Sequence, residues 1–150
     1  MNSLPAINEF LAQPVWAIAG VSRSRNKFGH SMYLTLKKRG RKVIPVNPNL
    51  SEFDGDTCYH SILDLPPEVT GLVICTRPEI SKGLIADAVS RGIRHIWLQQ
   101  GAESNDVLEP YHDSGLNLVS GKCILMYTDP VESVHKFHRF LAKLFGSYGK

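Results

Sequence analysis

No apolar run in this chain approaches the roughly 18 residues that cross a bilayer. The N-terminal MNSLPAINEF also lacks the basic start and continuous apolar stretch of a signal peptide, so the expected location is cytoplasmic. Cysteine is scarce: Cys58, Cys75 and Cys123 are an odd number at wide spacing with no C-x-x-C, which speaks against a disulfide framework or a zinc site and suits a reducing compartment. Charge of one sign is scarce too. Seventeen basic against 14 acidic residues leave +3, too little for the dense basic stripe that follows a nucleic-acid backbone. A small anionic ligand suits that balance better. With 43% hydrophobic and 21% charged residues, the 150-residue chain has ordinary soluble usage and the length of one domain, so residues 1–150 are expected to share a single core.

What is present is one pattern three times over: a helix-like segment, a glycine, then an apolar strand. It occurs at LKKRG-RKVIPV (36–46), AVSRG-IRHIWL (88–98) and YHDSG-LNLVS (111–120), with glycine where helices commonly end in a residue of positive φ. Adding VWAIAG (15–20) and GLVICT (71–76) gives five short strands, each followed by a loop and a helix-length segment. Their near-continuous apolar character requires burial on both sheet faces, which helical crossovers supply for parallel strands. The spacing predicts a short helix at about 5–12, with Ile7, Phe10 and Leu11 inward, ended by Pro14. A core-facing helix at 79–91 follows from Ile80, Leu84, Ile85, Ala88 and Val89, and one at 130–145 opens on Asp129-Pro130-Val131-Glu132.

A doubly wound sheet of this kind binds ligands beyond the carboxyl ends of its strands, where helix N-termini converge. The loop after the first strand, Gly20 to Gly29, holds Ser22, Arg23, Ser24, Arg25 and Lys27, so it reads as an anion-binding loop. It matches neither G-x-G-x-x-G nor G-x-x-x-x-G-K-[ST], and a merely solvated basic loop is the alternative. After the second strand, Val43-Ile44-Pro45-Val46 runs into Asn47-Pro48-Asn49, without the carboxylate that usually holds the ribose diol of NAD.

These blocks resemble the CoA-binding proteins related to the N-terminal domain of the succinyl-CoA synthetase alpha subunit. The resemblance covers about Val15 to Leu125 and is carried by Ala19-Gly20-Val21-Ser22, Asn26-Lys27-Phe28-Gly29, Val43-Ile44-Pro45-Val46-Asn47-Pro48, Tyr59-His60-Ser61-Ile62-Leu63-Asp64-Leu65-Pro66, Arg77-Pro78-Glu79, Trp97-Leu98-Gln99, Gly101, Asn105 and Cys123-Ile124. It implies an α/β fold, a Rossmann-like doubly wound parallel sheet of about five strands with helices on both faces. It further implies that Gly20, Val21, Ser22, Arg23, Arg25, Lys27, Phe28 and Gly29, with Asn47, Pro48, Thr76, Arg77, Pro78, Gln99 and Gly101, line a coenzyme A crevice. It implies no reaction. The phosphohistidine segment and nucleotide-grasp partner of the synthetase have no counterpart here, and Ile74-Cys75-Thr76 and Ile124-Leu125-Met126-Tyr127 depart from the family pattern.

Acyl transfer would need a nucleophile with a base in reach, and Cys123 with a histidine, or Ser22 with His30, are the candidates; neither sits in a recognisable motif. Cys123, just past the last strand, is expected at the crevice edge with its thiol pKa lowered, while Cys75 reads as a buried small hydrophobe. Trp97 and Phe28 read as core residues, with contact to an adenine the alternative for Phe28. His135 and His138 share a helix face but lack a third metal ligand, and the other histidines are scattered. The reading is a non-catalytic protein that binds CoA or an acyl-CoA. Its rivals are an enzyme using a phosphorylated dinucleotide or CoA-linked acyl transfer, and a scaffold for protein contacts.

Overall fold

All five residues of β1 (Val15–Ala19) are buried, which only a strand covered on both faces and paired on both edges allows. The computed structural model describes residues 2–128. After α1 (Leu4–Leu11) and β1 come α2 (Phe28–Lys38), β2 (Lys42–Val46), a small hairpin of β3 (Glu52–Phe53) and β4 (Asp56–Thr57), then β5 (Gly71–Ile74), α3 (Pro78–Ser90), β6 (His95–Gln99), a one-turn α4 (Asn105–Leu108) and β7 (Asn117–Lys122). The main sheet is parallel throughout, in the order β2-β1-β5-β6-β7. The expected α/β, doubly wound sheet of five parallel strands is the fold observed.

Period-2 alternation divides the strands between two cores. Trp16, Ile18, Val73, Trp97 and Val119 face α1, α2 and the segment after β7, where Phe10 sits 5.1 Å from the Trp16 ring and 5.5 Å from that of Trp97. Ala17, Ala19, Leu72, Ile74, Ile96, Leu98 and Leu118 face α3, α4 and the turn at 62–65. Both layers apolar is what the unalternating strand sequences required. Gly40 and Gly92 close α2 and α3 at φ +86° and +84°, as expected of residues that end helices.

Three features differ from the sequence expectation. On α3 the buried stripe is Ser81, Ile85 and Ala88, while Ile80 and Val89 are exposed: Ser81 hides its hydroxyl by bonding the Arg77 carbonyl at 3.1 Å and Thr76 Oγ1 at 2.9 Å, and this turns Ile80 outward. The third helical segment is interrupted by Pro110, leaving one α-turn and a 3-10 turn at Glu109–Tyr111 before Gly115. Between β2 and β5 the chain forms the unforeseen hairpin, turned by Asp54 and Gly55 at φ +51° and +79°, values that suit a two-residue hairpin loop. The expected helix at 130–145, with Asp129, Pro130, His135 and His138, lies outside the described residues. Among the described residues no helix is long and apolar enough to cross a membrane.

Candidate functional site

The carboxyl ends of β1 and β5 are neighbours, yet their helices leave on opposite faces of the sheet, so a crevice opens between them. Its floor is set by glycine. A Cβ built on Gly20, at φ +100°, would lie 2.9 Å from the Cys75 carbonyl oxygen, and one on Gly29 would lie 2.1 Å from the Gly20 carbonyl oxygen. The absence of two side chains therefore lets the loop 20–29 fold down onto the start of α2. The Gly20 and Cys75 amides bond Val46 and Ala19, which fixes this floor to the sheet.

Above it, side chains brace the loop by its carbonyls. Asn47 Nδ2 donates to the Val21 carbonyl at 2.8 Å, and its Oδ1 accepts from the Asn49 amide at 2.7 Å. His30 Nδ1 lies 2.7 Å from the Ser22 carbonyl, and because that oxygen can only accept, Nδ1 carries the hydrogen. Ser22 Oγ accepts from the Ser24 amide at 3.1 Å. The backbone amides of Ser22 and Arg23 have no protein acceptor among the described residues, and the side chains of Arg23, Arg25 and Lys27 are exposed around them. Free amides beside cations at the start of an 11-residue helix are donors suited to an anion.

Beside the loop is a cavity of about 230 Å³ lined by Phe28, Cys75, Thr76, Arg77, Gln99, Gln100, Gly101 and Ala102. Phe28 is 42% exposed, so the expectation that it belongs to the core is corrected: it is the first residue of α2, where side chains face the loop rather than the sheet. Arg77, whose side chain is 82% exposed, stands over the same cavity ahead of Pro78. Pro48 is exposed beyond β2. The Gly101 amide donates to Glu103 Oε2 at 3.1 Å, so this turn brings its own anion rather than an empty donor.

Gln99 is only 4% exposed. It stands two residues on from Trp97, on the same covered face of β6, and its Oε1 accepts the Ile124 amide at 3.0 Å. Cys123 lies next to it at 8% exposure. Burial pushes its thiol pKa up despite hydrogen bonds from Gln99 and the Leu125 and Met126 amides and the pull of Arg39, which corrects the expectation of a lowered value. Cys75 borders the cavity, but its Sγ packs 3.4 Å from Met32 Sδ and burial, together with Cys123, raises its pKa. Among the described residues neither suggested catalytic pair forms: His30 bonds the carbonyl of Ser22 rather than its hydroxyl, and the groups that hydrogen-bond the Cys123 thiol are Gln99 and two backbone amides.

The residues brought together are thus the 20–29 loop with its Phe28, Asn47, Thr76, Arg77 and Gln99 to Gly101, joined by Cys75 and Ala102, which were not among the expected lining residues. These two sit beside expected neighbours, and adjacency alone was the signal for them.

Comparison with known proteins bears on the family and the fold. An acetate–CoA ligase (ADP-forming) of Archaeoglobus fulgidus is 32% identical over 94 residues, covering 61% of this chain and 14% of that enzyme. A conserved hypothetical protein of Pyrococcus furiosus has the same fold at a TM-score of 0.73 and 33% identity, over 75% of this chain and 97% of that one. An acetyl-coenzyme A synthetase of Ca. Korarchaeum cryptofilum, solved with phosphate and ADP, aligns at a TM-score of 0.65 and 26% identity over 79% of this chain and 27% of its own. The chain therefore spans only a small part of the length of the ligases it matches. The family model described as a CoA binding domain matches residues 14–129, and the chain belongs to that family.

Proposed function

We propose that the chain binds CoA or an acyl-CoA without transforming it. The observation that carries this reading is the juxtaposition of two loop amides, at Ser22 and Arg23, that have no acceptor among the described residues, with the exposed cations Arg23, Arg25, Lys27 and Arg77. CoA carries a diphosphate and a 3′-phosphate, and charge-assisted bonds from backbone amides and guanidinium groups are the strongest that such oxygens can accept. The residues fit that group. The 230 Å³ cavity is smaller than the roughly 300–1,000 Å³ usual for drug-sized ligands, so it holds one end of the molecule while the remainder lies along the loop. Phe28 supplies an exposed ring for stacking on a base, and Asn47, committed to the Val21 carbonyl, supports the loop rather than reading a ribose.

Non-catalysis is supported by the raised pKa values of both thiols near the crevice and by the hydrogen bond that commits His30 Nδ1 to the Ser22 carbonyl. Calorimetry tests the reading. CoA is expected to bind more tightly than dephospho-CoA, by about ten- to a hundredfold for loss of one charge-assisted phosphate contact, with NAD weakest. Equal affinities for NAD and CoA would assign the crevice to a dinucleotide instead.

A further inference from the structure

Two successive peptide groups of the loop are held by side chains from different elements. Asn47 holds the Val21 carbonyl from the end of β2, and His30 holds the Ser22 carbonyl from the first turn of α2, at 2.8 and 2.7 Å. In a planar trans peptide the C=O and the following N–H point in opposite directions. Fixing the Val21 oxygen therefore fixes the Ser22 N–H away from Asn47, and fixing the Ser22 oxygen fixes the Arg23 N–H away from His30. Both of these amides lack a protein acceptor among the described residues, and so do those of Val21, Arg25 and Asn26, but only at Ser22 and Arg23 does a side chain hold the preceding carbonyl.

His30 is itself held. Its ring meets Phe53 edge to face, with centroids 5.6 Å apart and planes at 89°, and Phe53 packs in the same manner on Tyr33 at 5.1 Å. The Tyr33 hydroxyl donates to Asp56 at 2.5 Å, and Lys37 bridges Asp54 and Asp56 at 3.0 and 2.9 Å. The hairpin of β3 and β4, which adds nothing to the main sheet, thus presents Phe53 to the imidazole.

We propose that His30 is a positioning residue for the anion loop: through the Ser22 carbonyl it fixes the peptide whose N–H, on Arg23, is offered to the ligand diphosphate. The inference rests on the CoA reading for the identity of the ligand, whereas the orientation of the peptide belongs to the free protein. Loops left to choose between peptide orientations lose affinity in proportion to the fraction in the competent one.

The test compares His30→Phe, which keeps a ring against Phe53 but has no donor, with His30→Asn, whose amide nitrogen stands one atom beyond Cγ as Nδ1 does. Without ligand, relaxation dispersion of the Arg23 amide is expected to show exchange in His30→Phe and none in the wild type or His30→Asn. With ligand, His30→Phe is expected to bind CoA and inorganic diphosphate about tenfold more weakly, with affinity for pantetheine unchanged and His30→Asn close to wild type. If His30→Phe does not fold, His30→Leu fills the site equally without a donor. A wild type that ignores CoA would overturn the CoA reading and leave the Arg23 amide to decide the inference. Donor-free variants with an unperturbed Arg23 amide, or with undiminished affinity for a CoA that the wild type binds, would overturn the role of His30.

Discussion

Gly29 lies so close to Gly20 that a Cβ on the first would stand 2.1 Å from the carbonyl oxygen of the second. Backbone meets backbone there, so no flexible side chain can give way. Gly29→Ala is expected to lower stability by about 1–3 kcal/mol, a melting temperature roughly 3–10 °C lower, and to lift the loop from α2. Gly83→Ala, exposed on α3 with open space around it, is the control and is expected to be neutral or stabilising. Thermal melts of both variants check the pair.

The loop cations are expected to behave oppositely. Arg23, Arg25 and Lys27 are exposed and belong to no apolar stripe, so alanine at each leaves the melting temperature within about 2 °C. Each replacement is expected to weaken CoA binding by roughly two- to tenfold at low salt and less at high salt, because screening grows with ionic strength. Calorimetry at two salt concentrations measures this, and three unchanged affinities would return the loop to a solvated role.

Acid should release the hairpin before the sheet. Burial raises the pKa of Asp56, but bonds from Tyr33 and Lys37 outweigh it and hold the carboxyl below its ordinary 3.8. A lowered folded-state value gives stability that is fully present above the unfolded pKa and is lost as pH falls through the folded one. Asp56→Asn is therefore expected to cost about 1 kcal/mol near pH 6, small because the carboxylate is partly exposed, and the gap to wild type is expected to close below about pH 3.8. Paired melts across that range decide it.

The thiols should be slow. Cys58 and Cys123 are buried with pKa values raised by desolvation, and Cys75 is packed on Met32, so a disulfide reagent is expected to label the native protein at least about a hundredfold more slowly than the unfolded chain. Rapid labelling of Cys123 would show that the segment 123–127 opens and that its thiol reaches the crevice.

Parallel pairing was legible because Val15–Ala19, Gly71–Ile74 and His95–Gln99 are apolar on both faces, and Gly40 and Gly92 punctuate the helices before their strands, whereas the strand order came only from the structure. The crevice loops were legible for the same topological reason. The hairpin was missed although Asp54-Gly55 is its characteristic turn, because strands of two residues show no period. Phe28, which the resemblance put at the crevice, read as core from its residue type alone because an aromatic residue does so wherever it stands, and only the start of α2 at that residue shows otherwise. Gln99 and Asn47 look alike as polar residues at strand ends, yet hydrogen bonds to Ile124 and Val21 that no local sequence reveals commit both to holding loops.

The most direct test of the account is a titration of isotope-labelled protein with CoA, followed amide by amide. The account expects saturable shifts at Ser22, Arg23, Phe28, Arg77 and Gly101, with the opposite edge of the sheet, at Thr70 and Arg91–His95, unmoved. Shifts confined to that opposite edge, or no shifts at millimolar CoA, would contradict it.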